Sequence, residues 1–438
     1  MTKNDEKGIT LIILVVTIII IFTIAGLAIN AIIKPGATLN SAQEIQDRDK
    51  NKANIQTNET NELINAASEN MKDKQKDKTG ANAPKLTEDM IPVKWNENID
   101  GGCWVVTNEK DDKWYSYKEK KWANVMMRNN MVLKDKSINV QDATIEEMKN
   151  KPIEIEGDMF VWIPRFAYQV LGAYHNGGSN VRGVFNIHFL EGITDKPYPD
   201  EIIKYDNVSG NNKWNIHPAF TYGEEVSGIW VSKFEASNDN NGNIQIIPNV
   251  AMNWNNIRID DCFQKCYIYN QRANSHMMKN VEWGAVAYLS QSIYGSCNVE
   301  KNATQTTGGT NYIVNVSQST TGNVYGVYDM NGGTNEYVAA YFDNGNAKFT
   351  NESKKNVDVY SNYELSVQKY GDSIYETSSK GTDSFAWNQG NSVFVDDMNP
   401  YFLRGGSGIT GVNTGIFSFE KTNGTSNTYT FRPTLIVH

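Results

Sequence analysis

Hydrophobic and polar positions divide the chain into three regimes. Ile9 to Ile33 run almost unbroken through Ile, Leu, Val, Phe and Ala with no charge inside, and Lys34 and Pro35 close the run. At about 1.5 Å of rise per residue, a helix of that length exceeds the roughly 30 Å hydrocarbon core of a bilayer, which predicts a membrane-spanning helix. The run is also longer than the roughly 7–15 apolar residues of a cleaved secretory signal. From Leu39 to about Lys85 apolar positions thin to Leu39, Ile45, Ile55, Leu63 and Ile64, and Asn70 to Thr79 is a charge run without an apolar stripe. A polar helix passing into a solvated linker is expected, ended by the turn signals from Gly80 to Pro84.

From Leu86 onward Trp95, Trp104, Trp114, Tyr115, Tyr117 and Trp122 alternate with polar residues and with turns such as Asp100-Gly101-Gly102. This predicts short antiparallel strands at Val105–Val106, Trp114–Tyr117 and Lys121–Met127, with more helical character over Asn130–Asn150. Met159–Tyr168 reads as a strand bent at Pro164, and Gly228–Ala236 as a second. Ile259, Cys262, Phe263, Cys266 and Tyr269 recur at helical spacing. Asn280 is expected to cap another helix, with Trp283, Val286, Ala287 and Ile293 as its stripe. Asn302 to His438 is Gly, Asn, Thr and Tyr in short strand-like pieces. The expected segments are a short polar stretch at 1–8, a membrane helix at 9–33, a polar helix and linker at 34–85, a small β-rich subdomain at 86–158 and an α+β domain at 159–438.

Composition narrows the function classes. In 438 residues, 10 Trp and 22 Tyr supply ample material for a large core. A net charge of -9 argues against nucleic acid as a partner, because that role needs a basic surface to replace condensed counterions. Four cysteines are too few for a disulfide-built scaffold.

Lys7-Gly8-Ile9-Thr10-Leu11, ahead of the long apolar run, resembles the leader of type IV prepilins. The resemblance implies cleavage by a prepilin peptidase between Gly8 and Ile9, methylation of the new Ile9 amine, and the membrane and other pilins as partners. That family carries a glutamate at the fifth mature position, where this chain has Ile13. A buried ammonium without its carboxylate is costly, so a minor subunit at a fibre end is expected rather than a mid-fibre one.

Several later blocks resemble the formylglycine-generating-enzyme family, a branch of the C-type-lectin-like fold. They are Gly228–Ser237, Pro248–Trp254, Met278–Ala287 with Glu282-Trp283, Asn323–Tyr337, Arg404–Ser407 and Phe431-Arg432. The resemblance implies a C-type-lectin-like domain from about Met159 to His438. Its oxidase members use a carboxyl-terminal cysteine pair to hold copper, and this chain has no cysteine after Cys297, so no catalytic residues and no copper are expected. The asparagine that the family associates with calcium is replaced by Gly333 while Glu336 remains, so no cofactor is expected and calcium is the alternative. Cys262, Cys266, His276 and Cys297 lack zinc-site spacings, so no metal site is expected. Asp260-Asp261 and Asp396-Asp397 are neighbours that point apart. No Ser-His-Asp or phosphate-loop pattern occurs.

Non-catalytic relatives of that fold bind ligands on a face made by the last strands, and some are diversified by retroelements. The segment from Arg404 to Arg432 resembles the variable region of those proteins. Arg404, Gly405, Gly406, Phe431 and Arg432 would be scaffold, and Ser407, Ile409, Thr410, Val412, Asn413, Thr414, Phe417, Phe419 and Glu420 would face a ligand. Hydroxyl, amide and aromatic side chains on a rigid frame give adaptable contacts. The expected function is therefore a membrane-anchored or pilus-associated, minor pilin-like surface protein, single-pass in the cell membrane. Its outward domain would bind a surface protein or glycan and would not be an enzyme. The alternatives are a cell-surface enzyme of the formylglycine family and a structural pilin that initiates fibres.

Overall fold

Strands dominate the structure, and their apolar runs explain why. The computed structural model describes residues 83–99, 101–176, 182–195, 214–249, 254, 257–297, 311–343, 349, 354–361, 369–378, 384–387, 390–406, 414–425 and 428–438. All of them belong to one compact unit, Lys74–His438.

The strands of the first seven-stranded sheet are β1 (Met90–Asn96), β2 (Cys103–Val106), β3 (Asn124–Met127), β4 (Met159–Pro164), β5 (Gly228–Ser232), β6 (His276–Met277) and, from the end of the chain, β14 (Pro433–Leu435). Their order is β6-β14-β5-β4-β3-β1-β2, antiparallel throughout. The second sheet holds β7 (Glu336–Phe342), β8 (Asp358–Tyr360), β9 (Ser384–Ala386), β10 (Gly390–Ser392), β11 (Tyr401–Arg404), β12 (Phe419–Thr422) and β13 (Thr430–Phe431). It runs β8-β7-β11-β12-β10-β9, with β13 paired to β7.

Strands β3, β4 and β5 are buried along their whole length, which is why their sequences are continuous apolar runs rather than clean alternations. Trp162 of β4 lies opposite Trp230 of β5, their rings 5.2 Å apart. Each such buried side chain contributes roughly 1.5–3 kcal/mol relative to exposure.

The last strands join the two sheets. The chain leaves β13 in the second sheet and enters β14 in the first through Arg432. The Arg432 guanidinium donates through Nε and Nη2 to Glu336 of β7 at 3.0 and 2.7 Å, through Nη1 to the Ser232 carbonyl of β5 at 3.2 Å, and through Nη2 to the Tyr328 carbonyl at 2.7 Å. Lys233, fully buried just after β5, donates to Asn124 Oδ1 at 2.7 Å, the Val324 carbonyl at 2.6 Å and the Gly326 carbonyl at 3.1 Å. The glycine-rich stretch Asn323–Glu336 is thus clamped by two interior basic side chains. Gly333 sits there with φ +65, and a Cβ on it would lie 2.4 Å from Glu235 Oε1.

Three α-helices are present among the described residues: α1 (Ile145–Met148), α2 (Ile259–Tyr269) and α3 (Asn280–Ser290). This corrects the expected α+β, C-type-lectin-like class with an amino-terminal membrane helix: the described residues are mostly β-sheet with a few short helices. The apolar run Ile9–Ile33, the processing positions Gly8 and Ile9, and the linker lie outside the described residues. Among the described residues no helix is long and apolar enough to cross a membrane. The longest have 11 residues, about half of what a bilayer core requires. The transmembrane, pilin-like and single-pass assignments are therefore not retained.

Local expectations also shift. Trp114–Tyr117 is turn rather than strand, held by the backbone pairing of Ser116 with Lys121. Within Asn130–Asn150 the α-helix is only α1, opened by a reciprocal cap between Thr144 and Glu147. The cap of α3 is Lys279 rather than Asn280, because Glu282 Oε2 reaches back to the Lys279 amide at 2.9 Å. The segment 86–158 supplies β1, β2 and β3 to the same sheet as β4 and β5.

Candidate functional site

A cleft of about 600 Å³ opens where the end of the strand Ile153–Ile155, the hairpin of Ser237–Asn238 with Ile244–Gln245, and the last turns of α2 meet. Asp158 builds its floor. Its carboxylate accepts from the Ile246 amide at 2.6 Å and the Tyr269 hydroxyl at 2.7 Å, and its backbone carbonyl accepts from the Met127 amide at 2.8 Å. One residue thus ties together β3 through its backbone, and the hairpin and α2 through its side chain. Burial raises the Asp158 carboxyl above its ordinary value, against the pull of those donors.

Glu156 lines the same cleft and is partly exposed. The Tyr312 hydroxyl donates to its two oxygens at 2.9 and 3.0 Å and itself accepts from Trp104 Nε1 at 2.7 Å. Burial pushes the Glu156 carboxyl up to about 7, with Tyr312 and the charge of Lys233 opposing. Near neutral pH this group both donates and accepts.

Around these acids stand the amides Asn129, Asn130, Asn243 and Gln245, the cation Lys265, and Tyr269. Gln245 donates from Nε2 to the Asn238 carbonyl at 3.1 Å, and Lys265 donates to the Gly242 carbonyl, its ammonium 5.4 Å from the Trp254 ring. In the hairpin turn, hydrogen bonds from Asn243 hold the Asp239 carboxyl down at about 2. Ile155 and Ile268, 53% and 63% exposed, form apolar walls. The arrangement offers planar amides and carboxylates beside exposed hydrocarbon, which suits a polar, neutral ligand with apolar faces.

Of the sequence-derived binding positions, the four that are described lie away from this cleft. Ser407, Ile409, Thr410, Val412 and Asn413 are outside the described residues. Thr414, Phe417 and Phe419 are each 1% exposed. Phe417 packs on Trp387 and Phe185, with ring separations of 5.6 and 6.0 Å. Glu420 is half-buried and accepts from Asn391 Nδ2. None of the four described positions lines the cleft.

Cys262 and Cys266 are buried on the inner face of α2, and burial pushes both thiols up, away from nucleophilic or metal-binding character. None of the four cysteines is in a disulfide. Among the described residues no group of three acidic, histidine or cysteine side chains is arranged to hold a metal ion. Glu336 Oε1 is engaged by Arg432, and burial beside Glu336 pushes the Glu235 carboxyl well up, so Glu336 keeps the negative charge of that pair. No protein-family model matches the chain, and no match to it is found among the curated proteins.

Proposed function

We propose that this chain is a binding module whose cleft beside Glu156 and Asp158 seats a glycan. The carrying observation is the composition of that cleft, where Asn129, Asn243, Gln245 and Glu156 surround exposed Ile155 and Ile268. Neighbouring sugar hydroxyls are matched by amide and carboxylate pairs, and the C–H face of a sugar ring by exposed hydrocarbon.

A carboxyl at about 7 would also suit a general acid, which keeps glycoside hydrolysis as the second reading. Against it, the Asp158 carboxylate is engaged by the Ile246 amide and the Tyr269 hydroxyl and supports the floor, and Asp239, the other carboxylate on the cleft, is taken up by hydrogen bonds from Asn243 at 2.9 Å.

The test is a glycan array followed by calorimetry on the strongest neutral oligosaccharide. Asn129→Ala removes an exposed amide and should weaken binding about 3- to 10-fold, the effect of one lost hydrogen bond. Glu156→Gln should keep binding and flatten its dependence on pH around neutrality. Cleavage of the oligosaccharide by the wild type, abolished in Glu156→Gln, would replace binding by hydrolysis.

A further inference from the structure

The strand Phe166–Leu171 follows β4 and pairs antiparallel with Val184–Phe189 on one side and Asn215–Ile216 on the other. His217, next after Ile216, is 0% exposed. Its amide donates to the Phe166 carbonyl at 3.1 Å. Its ring lies 5.1 Å from the rings of Phe166 and Tyr168, 5.4 Å from Tyr288 of α3 and 5.9 Å from Phe220.

The two ring nitrogens are unequal. Nδ1 accepts from the Ala219 amide at 3.3 Å and so caps the short turn Pro218–Phe220. An accepting Nδ1 carries no proton, which puts the proton of the neutral ring on Nε2. Nε2 is buried without a hydrogen-bond partner, and a Cβ on Gly371 would lie 3.1 Å from it. Charging the ring turns Nδ1 from acceptor to donor, so the cap is lost and two N–H groups face each other.

The charged groups around this ring offer an imidazolium no counter-ion. Glu376 accepts from the Tyr168 and Tyr288 hydroxyls at 2.7 and 2.8 Å and from the Gly371 amide at 3.0 Å. Burial pushes its carboxyl up to about 7, so it turns neutral in the acid range where an imidazole charges. Asp372 accepts from the Ile374 and Tyr375 amides and the Tyr360 hydroxyl, and burial raises it too. Two cations repel: Arg165, which donates to the Phe220 carbonyl at 3.2 Å and to Glu225, and Arg404, which donates to the Ser373 carbonyl at 3.2 Å. Ring faces attract a cation, but less than water solvates it.

We infer that His217 is an acid-sensitive latch, whose charging frees the strand Asn215–Ile216 and the turn Pro218–Phe220 ahead of the rest of the fold. The Phe220 carbonyl also accepts from the Val226 amide at 2.9 Å, so release of the turn loosens the hairpin Thr221–Glu225. The latch is independent of the glycan cleft, none of whose lining residues belongs to this segment.

The test is amide hydrogen exchange of the full chain from pH 7 to 4, with rates corrected for the intrinsic pH dependence of exchange. The opened segment binds a proton near the ordinary imidazole value, whereas burial holds His217 at about 3 in the closed one. Protection over residues 215–226 should therefore fall about tenfold per pH unit below about 6, while β4 and β5 keep theirs. His217→Gln retains an acceptor for the Ala219 amide and cannot charge, so its protection should not change with pH. Glu376→Gln should leave the fall in place, because protonating that acid favours the closed form. Flat wild-type protection, a fall shared equally by β4 and β5, an equal fall in His217→Gln, or its disappearance in Glu376→Gln would each overturn the inference.

Discussion

Lys233 and Arg432 each carry hydrogen-bond donors into the interior and meet acceptors there, and burial pulls the Lys233 amine well below its ordinary value. Replacing one member of such a network leaves its partners desolvated and unpaired, which typically costs about 3–5 kcal/mol. Lys233→Met would orphan Asn124 Oδ1 and the carbonyls of Val324 and Gly326, and Arg432→Met would leave Glu336 without its counter-ion. Both variants should lose about that much stability in urea unfolding; a loss below about 1 kcal/mol would show that the glycine-rich stretch is held by something else. Residue chemistry of this kind was half visible in the sequence. The block Asn323–Tyr337 stood out by its wording, but nothing in spacing tells that Lys233 reaches its carbonyls, since the partners are about ninety residues apart.

Helix α3 sets the same problem at the scale of an element, because all its residues are buried. Glycine in an exposed helix is about 1 kcal/mol worse than alanine, so Gly284→Ala would ordinarily stabilise. Here a Cβ on Gly284 would lie 2.0 Å from the Gly371 carbonyl oxygen, a backbone atom that cannot rotate away. The clash outweighs the propensity, and Gly284→Ala should cost about 1–3 kcal/mol or more by thermal denaturation; a stabilised variant would mean that the 371–374 turn does not pack on α3.

Elements with strong periodicity were legible in advance. The stripe Ile259, Cys262, Phe263 and Cys266 is the buried face of α2, and the apolar runs at Met159 and Gly228 open central strands, but both end sooner than expected: β4 stops at Pro164, with Phe166–Leu171 passing to a separate three-stranded sheet, and β5 stops at Ser232. Trp114–Tyr117 misled because its aromatic residues pack from a turn, with Trp114 Nε1 donating to the Asn124 carbonyl at 3.0 Å. The cleft was illegible because Asp158, Ile246 and Tyr269 meet only through the tertiary fold. The aromatic positions proposed near the carboxyl end face the core, for Phe417 and Phe419 satisfy burial before display.

For the molecule as a whole, buried acids set the response to pH. Burial raises the carboxyls of Glu156 and Glu376 to about 7 from 4.5 and lifts Asp158 and Asp372 as well. Such groups bind protons more tightly folded than unfolded, so their contribution is full below the unfolded value and is lost as pH rises through the folded one. Glu282 has the opposite sign: His276 and Lys279 hold it at about 2 despite its burial, and that contribution is lost as pH falls below about 4.5 toward 2. These acids stabilise, raising the melting temperature, as pH falls from 8 to about 5, opposed by the buried imidazole of His217, which burial holds down at about 3 so that its contribution is lost below about 6.5, and stability drops in stronger acid. In Glu376→Gln the slope between 8 and 5 should shrink; an unchanged slope would remove Glu376 from this account. Hydrogen–deuterium exchange of the full chain, with and without a bound neutral oligosaccharide, locates the surface that the sugar covers. Slowed exchange over residues 127–130, 153–158, 239–247 and 265–269 is the predicted result, whereas slowing confined to residues 404–425 would contradict it and return the binding face to the last strands.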